Sequence, residues 1–191
     1  MSDKPSGPGD PGTVLPVAFG LKVPPGEDRE RLVCERCGFV NYINPRIVVG
    51  SVVTLGERFV LCRRAIEPRR GYWTLPAGFL ESHETTREGA AREAREEANA
   101  EIEIGALLAV YEITRIAQVQ IFYRARLLSE IAPGPESLEV ALVTWADIPW
   151  RELAFPSVVW ALHHHDRVHG KDGFAPFANP PAGEFAFPFA P

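Results

Sequence analysis

Residues 85–98, TTREGAAREAREEA, narrow what the chain can become more than any other stretch. Ala90, Ala94 and Ala98 recur every fourth residue, as on one face of an α-helix. Thr85 followed by Glu88 makes a capping box that starts the helix. Glu93, Glu96 and Glu97 fall at i, i+3 and i+4, so their carboxylates share a face. Like charges at this spacing repel by roughly a few tenths of a kcal/mol per pair in water. A helix that needed only solubility would mix signs there. Two readings follow. One is a solvated helix laced by Glu88–Arg92 and Arg92–Glu96 pairs. The other is an acidic face that gathers a divalent cation, since hard carboxylate oxygens suit Mg²⁺ or Mn²⁺ together with substrate phosphates.

Mixed α and β patterning surrounds this helix. Arg46 to Leu55 is rich in Ile, Val and Thr and reads as a strand. Gly56-Glu57 turns it into a hairpin partner, Arg58 to Arg64. Residues 101–114, 119–128 and 138–145 read as further strands, and Pro156 to Val168 as a closing helix with proline in its first turn. Helices covering a mixed sheet make an α/β sandwich. Six of the 18 prolines fall in the first 25 residues and five in the last 19, so both ends are poor in regular structure. The last stretch also carries five Phe, which suits either a floppy tail or one docked on the body or on a second subunit.

Charge and cysteine usage exclude several classes. A net charge of −5 argues against broad capture of nucleic acid or anionic membrane. No apolar run approaches the roughly 18 residues of a membrane span. Three cysteines are too few for a secreted disulfide framework, so a reducing, cytoplasmic location is expected.

Gly78, Glu84 and the run Arg92-Glu93-Ala94-Arg95-Glu96-Glu97-Ala98-Asn99-Ala100 lie in a 23-residue pattern that resembles the Nudix box. Asn99 stands where that family has Gly, at a helix end that wants a left-handed backbone, and Asn is the next-best residue there. The resemblance reaches from about Cys34 to Gly170, through Ile47–Thr54, Gly71–Phe79, Ile148-Pro149-Trp150 and Ala154–Ser157. Its nearest branch is similar to ADP-ribose, FAD and NADH pyrophosphatases with an amino-terminal zinc ribbon. It implies an α/β/α sandwich with a mixed sheet. It also implies Mg²⁺- or Mn²⁺-dependent attack of water on a nucleoside diphosphate linked to another moiety, releasing a nucleoside monophosphate.

From the same resemblance, Glu96 and Glu97 are expected metal ligands, and Glu93 is a third ligand or holds the water. Glu84 joins the cluster, Gly78 brings backbone close to the metal and offers its carbonyl, and Arg92 orients a carboxylate. Several members take the general base from outside the helix; Glu136 and Glu139 are candidates, Glu139 the better one. The rival class is a non-catalytic ADP-ribose sensor or a nucleic-acid-binding regulator, against which the complete set of glutamates and the negative charge both count.

Cys34-Glu35-Arg36-Cys37-Gly38 is half a zinc knuckle, and tetrahedral zinc needs four ligands. Pro16 and Phe19 occupy the positions of the missing pair, so a metal-free remnant is expected; the alternatives are zinc completed by histidine or a second subunit, and a Cys34–Cys37 redox pair. Cys62 reads as a small buried residue, and His163, His164, His165 and His169 as a surface helix face. Tyr72, Trp73 and Tyr111 are candidate stacking surfaces, with Trp73 also suited to the core beside Leu75. Gln118 could contact the far half of a dinucleotide. The expected division is a disordered tail at 1–12, a degenerate ribbon at 13–45, a Nudix domain at 46–170 and a Pro/Phe-rich tail at 171–191. The expected partner is a small nucleotide, with no nucleic acid and no membrane; a homodimer is expected from the resemblance alone.

Overall fold

A computed structural model of the chain describes residues 18–171 and 173–185. The tail expected at 1–12 lies outside the described residues. The chain divides into two compact units, one running up to Asn44 and one from Pro45.

The first unit is an antiparallel sheet of β1 (Phe19–Lys22), β2 (Arg31–Cys34) and β3 (Val40–Asn41), with β2 in the middle. Its register sets Phe19 opposite Cys34. Glu27 ties the connecting turn to the sheet, accepting from Arg31 Nε at 2.8 Å and from the Tyr42 hydroxyl at 2.5 Å. Those two donors hold the Glu27 carboxyl below its ordinary range.

The second unit is built on a mixed sheet of β4 (Arg46–Leu55), β5 (Arg58–Arg64), β6 (Trp73–Thr74), β7 (Ala77–Phe79), β8 (Ile102–Ile113), β9 (Gln118–Leu127) and β10 (Ser137–Thr144). Strand order is β10-β5-β4-β9-β8, and β4 runs parallel to β9. The β4–β5 hairpin pairs only next to its turn, at Thr54–Leu55 with Phe59–Arg58. Beyond that point β7 pairs with β4 and β6 with β5. Gly50 permits this wedge: a Cβ there would stand 2.5 Å from the Ala77 Cβ and 2.8 Å from the Pro76 carbonyl oxygen. The Ser51 amide donates to that same carbonyl at 3.1 Å.

Alternation along the strands sends successive side chains to opposite faces. Val52, Leu61, Leu108 and Phe122 pack against Val158, Val159, Ala161 and Leu162 of α2 (Pro156–Arg167). Val53, Val60, Cys62, Ala125 and Leu127 pack against Ala94 and Ala98 of α1 (Thr86–Ala98). The result is the expected α/β/α layering on a mixed sheet. Each fully buried Val or Leu stabilises it by roughly 1.5–3 kcal/mol. The alanine face of α1 lets that helix lie close to the sheet. Its capping box is present, with Thr85 and Glu88 exchanging side-chain-to-backbone bonds, and Asn99 ends it in the left-handed conformation at φ 48°.

The α2 histidines differ from the surface face expected for them. His164 and His165 are 2% and 5% exposed. His164 Nδ1 lies 2.7 Å from the Tyr111 hydroxyl and its ring stacks on Phe177 at 4.1 Å. The carboxy-terminal segment covers this face. The Phe177 amide donates to the Leu108 carbonyl at 2.9 Å, and the Phe177 carbonyl accepts from Val110 at 2.9 Å. Asn179 exchanges two bonds with the Glu112 backbone, each 2.9 Å. Phe185 stacks on His163 at 4.5 Å, while Glu184 pairs with Arg167. Through Phe185 the tail is therefore docked on the body.

Candidate active site

The amino-terminal turns of α1 are fixed to the sheet by polar contacts. Thr86 Oγ1 lies 2.7 Å from the Tyr123 hydroxyl, and Arg87 donates to the carbonyls of Gly105 and Ile104. This anchoring turns the acidic face of the helix under β7. Glu93 is 7% exposed and Glu97 5%. A Cβ on Gly78 would overlap both oxygens of the Glu93 carboxylate, so glycine is what lets this backbone rest on it. The Ala77 amide donates to Glu97 Oε2 at 3.2 Å.

Arg92 gathers the other side of the cluster. Its Nε and Nη2 donate to Glu84 at 3.0 and 2.8 Å. Its Nη1 donates to Glu93 at 2.7 Å and Glu96 at 2.9 Å, and its Nη2 also reaches the Phe79 carbonyl at 2.9 Å. All five N–H donors of the guanidinium are thus spent inside the protein. Arg92 orients carboxylates and has no donor left for a substrate phosphate. Glu84 is held below its ordinary range, chiefly by these Arg92 bonds.

Burial dominates the two inner acids. It raises Glu93, with Arg92 opposing it. It pushes Glu97 up to about 8, helped by the negative charges of Glu93 and Glu136 and opposed by the Ala77 amide and by Arg64. Glu96 is the outermost of the three, its side chain 58% exposed.

The loop after β9 packs on the carboxy-terminal end of α1. Ala132 and Gly134 donate backbone amides to the carbonyls of Ala98 and Glu97, and Asn99 Nδ2 donates to the carbonyls of Ala132 and Pro133. This brings Glu136 into the field of Glu93 and Glu97. Glu139, preferred from the sequence, stands opposite Arg63 and pairs with it at 3.6 Å.

The aromatic candidates separate. Tyr111 is 0% exposed and bonded to His164, so its ring presents no face to a ligand. Trp73 is partly buried against the α2-side core. Tyr72 lies under the Arg69 guanidinium at 5.2 Å. Gln118 begins β9 and accepts from Gln120 at 3.1 Å. Arg64 was not singled out from the sequence. It donates Nε to the Pro68 carbonyl at 2.9 Å, lies over the Phe155 ring at 5.2 Å and acts electrostatically on Glu97. The Arg63-Arg64 doublet at the end of an apolar strand was the available signal.

Among the described residues no three His, Cys, Asp or Glu side chains stand assembled as a metal site. The donor set nevertheless fits a hard divalent cation. Two carboxylates are buried side by side, and Glu97 accepts the Ala77 amide while lacking a full countercharge. Zinc at the Cys34 knuckle does not fit, because Phe19 faces Cys34 where a ligand is needed.

The NUDIX domain family matches residues 44–161, and the Nudix N-terminal family matches residues 17–43. The chain belongs to the NUDIX family. A NUDIX hydrolase structure from Nitrosomonas europaea is 43% identical, aligns over 84% of this chain and 93% of its own, and superposes with a TM-score of 0.78. An ADP-ribose pyrophosphatase of Methanocaldococcus jannaschii is 33% identical over 70 residues, 37% of this chain and 41% of its own. A MutT-like protein of Streptomyces ambofaciens is 38% identical over 79 residues, 41% of this chain and 49% of its own. The chain spans less than half the length of each of these two curated relatives.

Proposed function

We propose that this chain hydrolyses a nucleoside diphosphate linked to a second moiety, of the ADP-ribose class, by attack of water on phosphorus with release of a nucleoside monophosphate. FAD and NADH belong to the same chemical class and are the alternatives within it. The observation that carries this reading is the pair of buried carboxylates, Glu93 and Glu97, packed beneath the Ala77–Gly78 backbone.

Glu93, Glu96 and Glu97 would hold one or more Mg²⁺ or Mn²⁺ ions, with Glu84 and the Gly78 carbonyl completing the donors. Such an ion, when bound, neutralises phosphate oxygens and makes its water more acidic. Arg92 keeps Glu84, Glu93 and Glu96 in place. Arg64, braced by Pro68 and Phe155, offers positive charge to a substrate phosphate. Glu139 and Glu136 are the candidate acceptors for the proton of the attacking water; the charge of Glu136 acts on Glu93 and Glu97, while Glu139 pairs with Arg63. Tyr72, Trp73 and Gln118 are proposed contacts for the base or the distal group.

The test is a panel of ADP-ribose, FAD, NADH and nucleoside triphosphates with Mg²⁺. AMP release from the linked diphosphates supports the reading. Release of inorganic pyrophosphate from triphosphates alone overturns it. No helix among the described residues is long and apolar enough to cross a membrane. Action on a small nucleotide in the cytoplasm, by a homodimer, is part of the proposal.

A further inference from the structure

We propose that Cys34 and Cys37, half of a zinc knuckle, form a reversible intrachain disulfide: a thiol oxidation site in place of a metal site. The knuckle turn itself is intact. The Gly38 amide donates to the Cys34 carbonyl at 2.9 Å, and the Cys34 amide donates to the Phe39 carbonyl at 2.7 Å. The backbone of Arg36 and Cys37 lies beside the Cys34 sulfur and, with the Cys37 thiol, holds the Cys34 thiol below its ordinary range. The Cys-x-x-Cys spacing within this one hydrogen-bonded turn sets the two thiols on neighbouring positions. The two sulfurs are therefore already neighbours within one turn.

Among the described residues nothing across the sheet completes a tetrahedral site. Register puts the apolar ring of Phe19 opposite Cys34. The three strands are tied by other means, through the β1–β2–β3 ladder and the Glu27, Arg31 and Tyr42 side chains. A dithiol that no longer serves a metal is left with its oxidation chemistry.

Access differs between the sulfurs in the way such a pair needs. Cys37 is exposed, so an oxidant reaches it; Cys34 is buried beside it, so only its neighbour does. With a peroxide as oxidant, the Cys37 thiolate attacks one peroxide oxygen, the O–O bond breaks, and a sulfenic acid forms with loss of one water. The Cys34 thiolate then attacks the Cys37 sulfur, the S–S bond forms, and the S–O bond breaks with release of a second water. Two thiols and one hydrogen peroxide thus give one disulfide and two waters. A small dithiol reductant reverses it. The third cysteine, Cys62, is buried, and burial together with nearby Glu97 pushes its thiol far above the ordinary range. It stays reduced and serves as an internal control.

The experiment uses the full chain, reduced and desalted, with zinc content measured first. Aliquots before and after brief hydrogen peroxide treatment are unfolded, alkylated with N-ethylmaleimide and weighed intact, with peptide mapping. The expected result is little bound zinc, three alkylated cysteines before oxidation and one, Cys62, afterwards. The unalkylated oxidised chain is about 2 Da lighter. Dithiothreitol restores three alkylations. In Cys37→Ser the mass loss disappears while far-ultraviolet circular dichroism stays unchanged. Zinc held tightly by the pair overturns the proposal. So does a chain-to-chain disulfide, or sulfinic acid at Cys37 with Cys34 still alkylated.

Discussion

The Glu93 carboxylate occupies the space that a side chain at residue 78 would need, both of its oxygens lying where they would overlap a Cβ. This contact couples the loop to the helix, and it makes the site sensitive to a single methyl group. Gly78→Ala must push either β7 or Glu93 away. Overpacking of this kind costs about 1–3 kcal/mol. Activity against ADP-ribose should fall at least tenfold, while circular dichroism shows a folded protein. Steady-state kinetics on the purified variant checks this.

Glu97 couples catalysis to stability with a definite sign. Its folded value is about 8 against an ordinary 4.5, so the metal-free folded state disfavours the ionised form. The unfolded chain loses this proton first as pH rises. Metal-free stability therefore declines from about pH 4.5 to about pH 8 and is flat above, for this group. Glu97→Gln should raise the metal-free melting temperature at pH 8, abolish the added stability from Mg²⁺, and remove most turnover. Differential scanning calorimetry with and without EDTA reads the first two effects.

The buried histidines act in the other direction. Burial lowers His164 and His165 to about 4, against an ordinary 6.5. An unfolded chain takes up these protons first as pH falls. Stability is complete above pH 6.5 and erodes between pH 6.5 and pH 4, by an amount on the order of a few kcal/mol. His165 Nδ1 also has no hydrogen-bond partner among the described residues. His165→Leu should therefore flatten the fall in melting temperature between pH 7 and pH 5 relative to the parent chain.

Much of this fold was legible from local pattern. The β4–β5 hairpin and the α1 cap were written in residues close together in sequence, and so were the three glutamates on one helix turn. What escaped depends on distant segments. Tyr111 reads as an available ring until Trp160, His164 and Phe122 are seen packed around it. The α2 histidines read as surface residues because the segment that covers them comes from Phe177 and Phe185, in a Pro-rich stretch without helical or strand periodicity. Glu136 and Glu139 look alike in sequence; a bulge between Ser137 and Glu139, and the packing of the preceding loop on the end of α1, separate them.

The docked tail makes its own prediction. Phe177 contributes two backbone bonds to β8 and a ring stacked on His164. Phe177→Ala keeps the former and loses the latter, together with partly buried apolar area. The expected cost is about 1–3 kcal/mol. Chemical denaturation at pH 7 measures it.

Titration of Mn²⁺ into the full chain, followed by electron paramagnetic resonance of the free ion, tests the central claim most directly. The account predicts saturable binding that Glu93→Gln or Glu97→Gln weakens at least tenfold, while Glu103→Gln, on β8, leaves it unchanged. Equal binding by all four proteins would contradict the assignment of the acidic face of α1 as the place where the cation and the diphosphate meet.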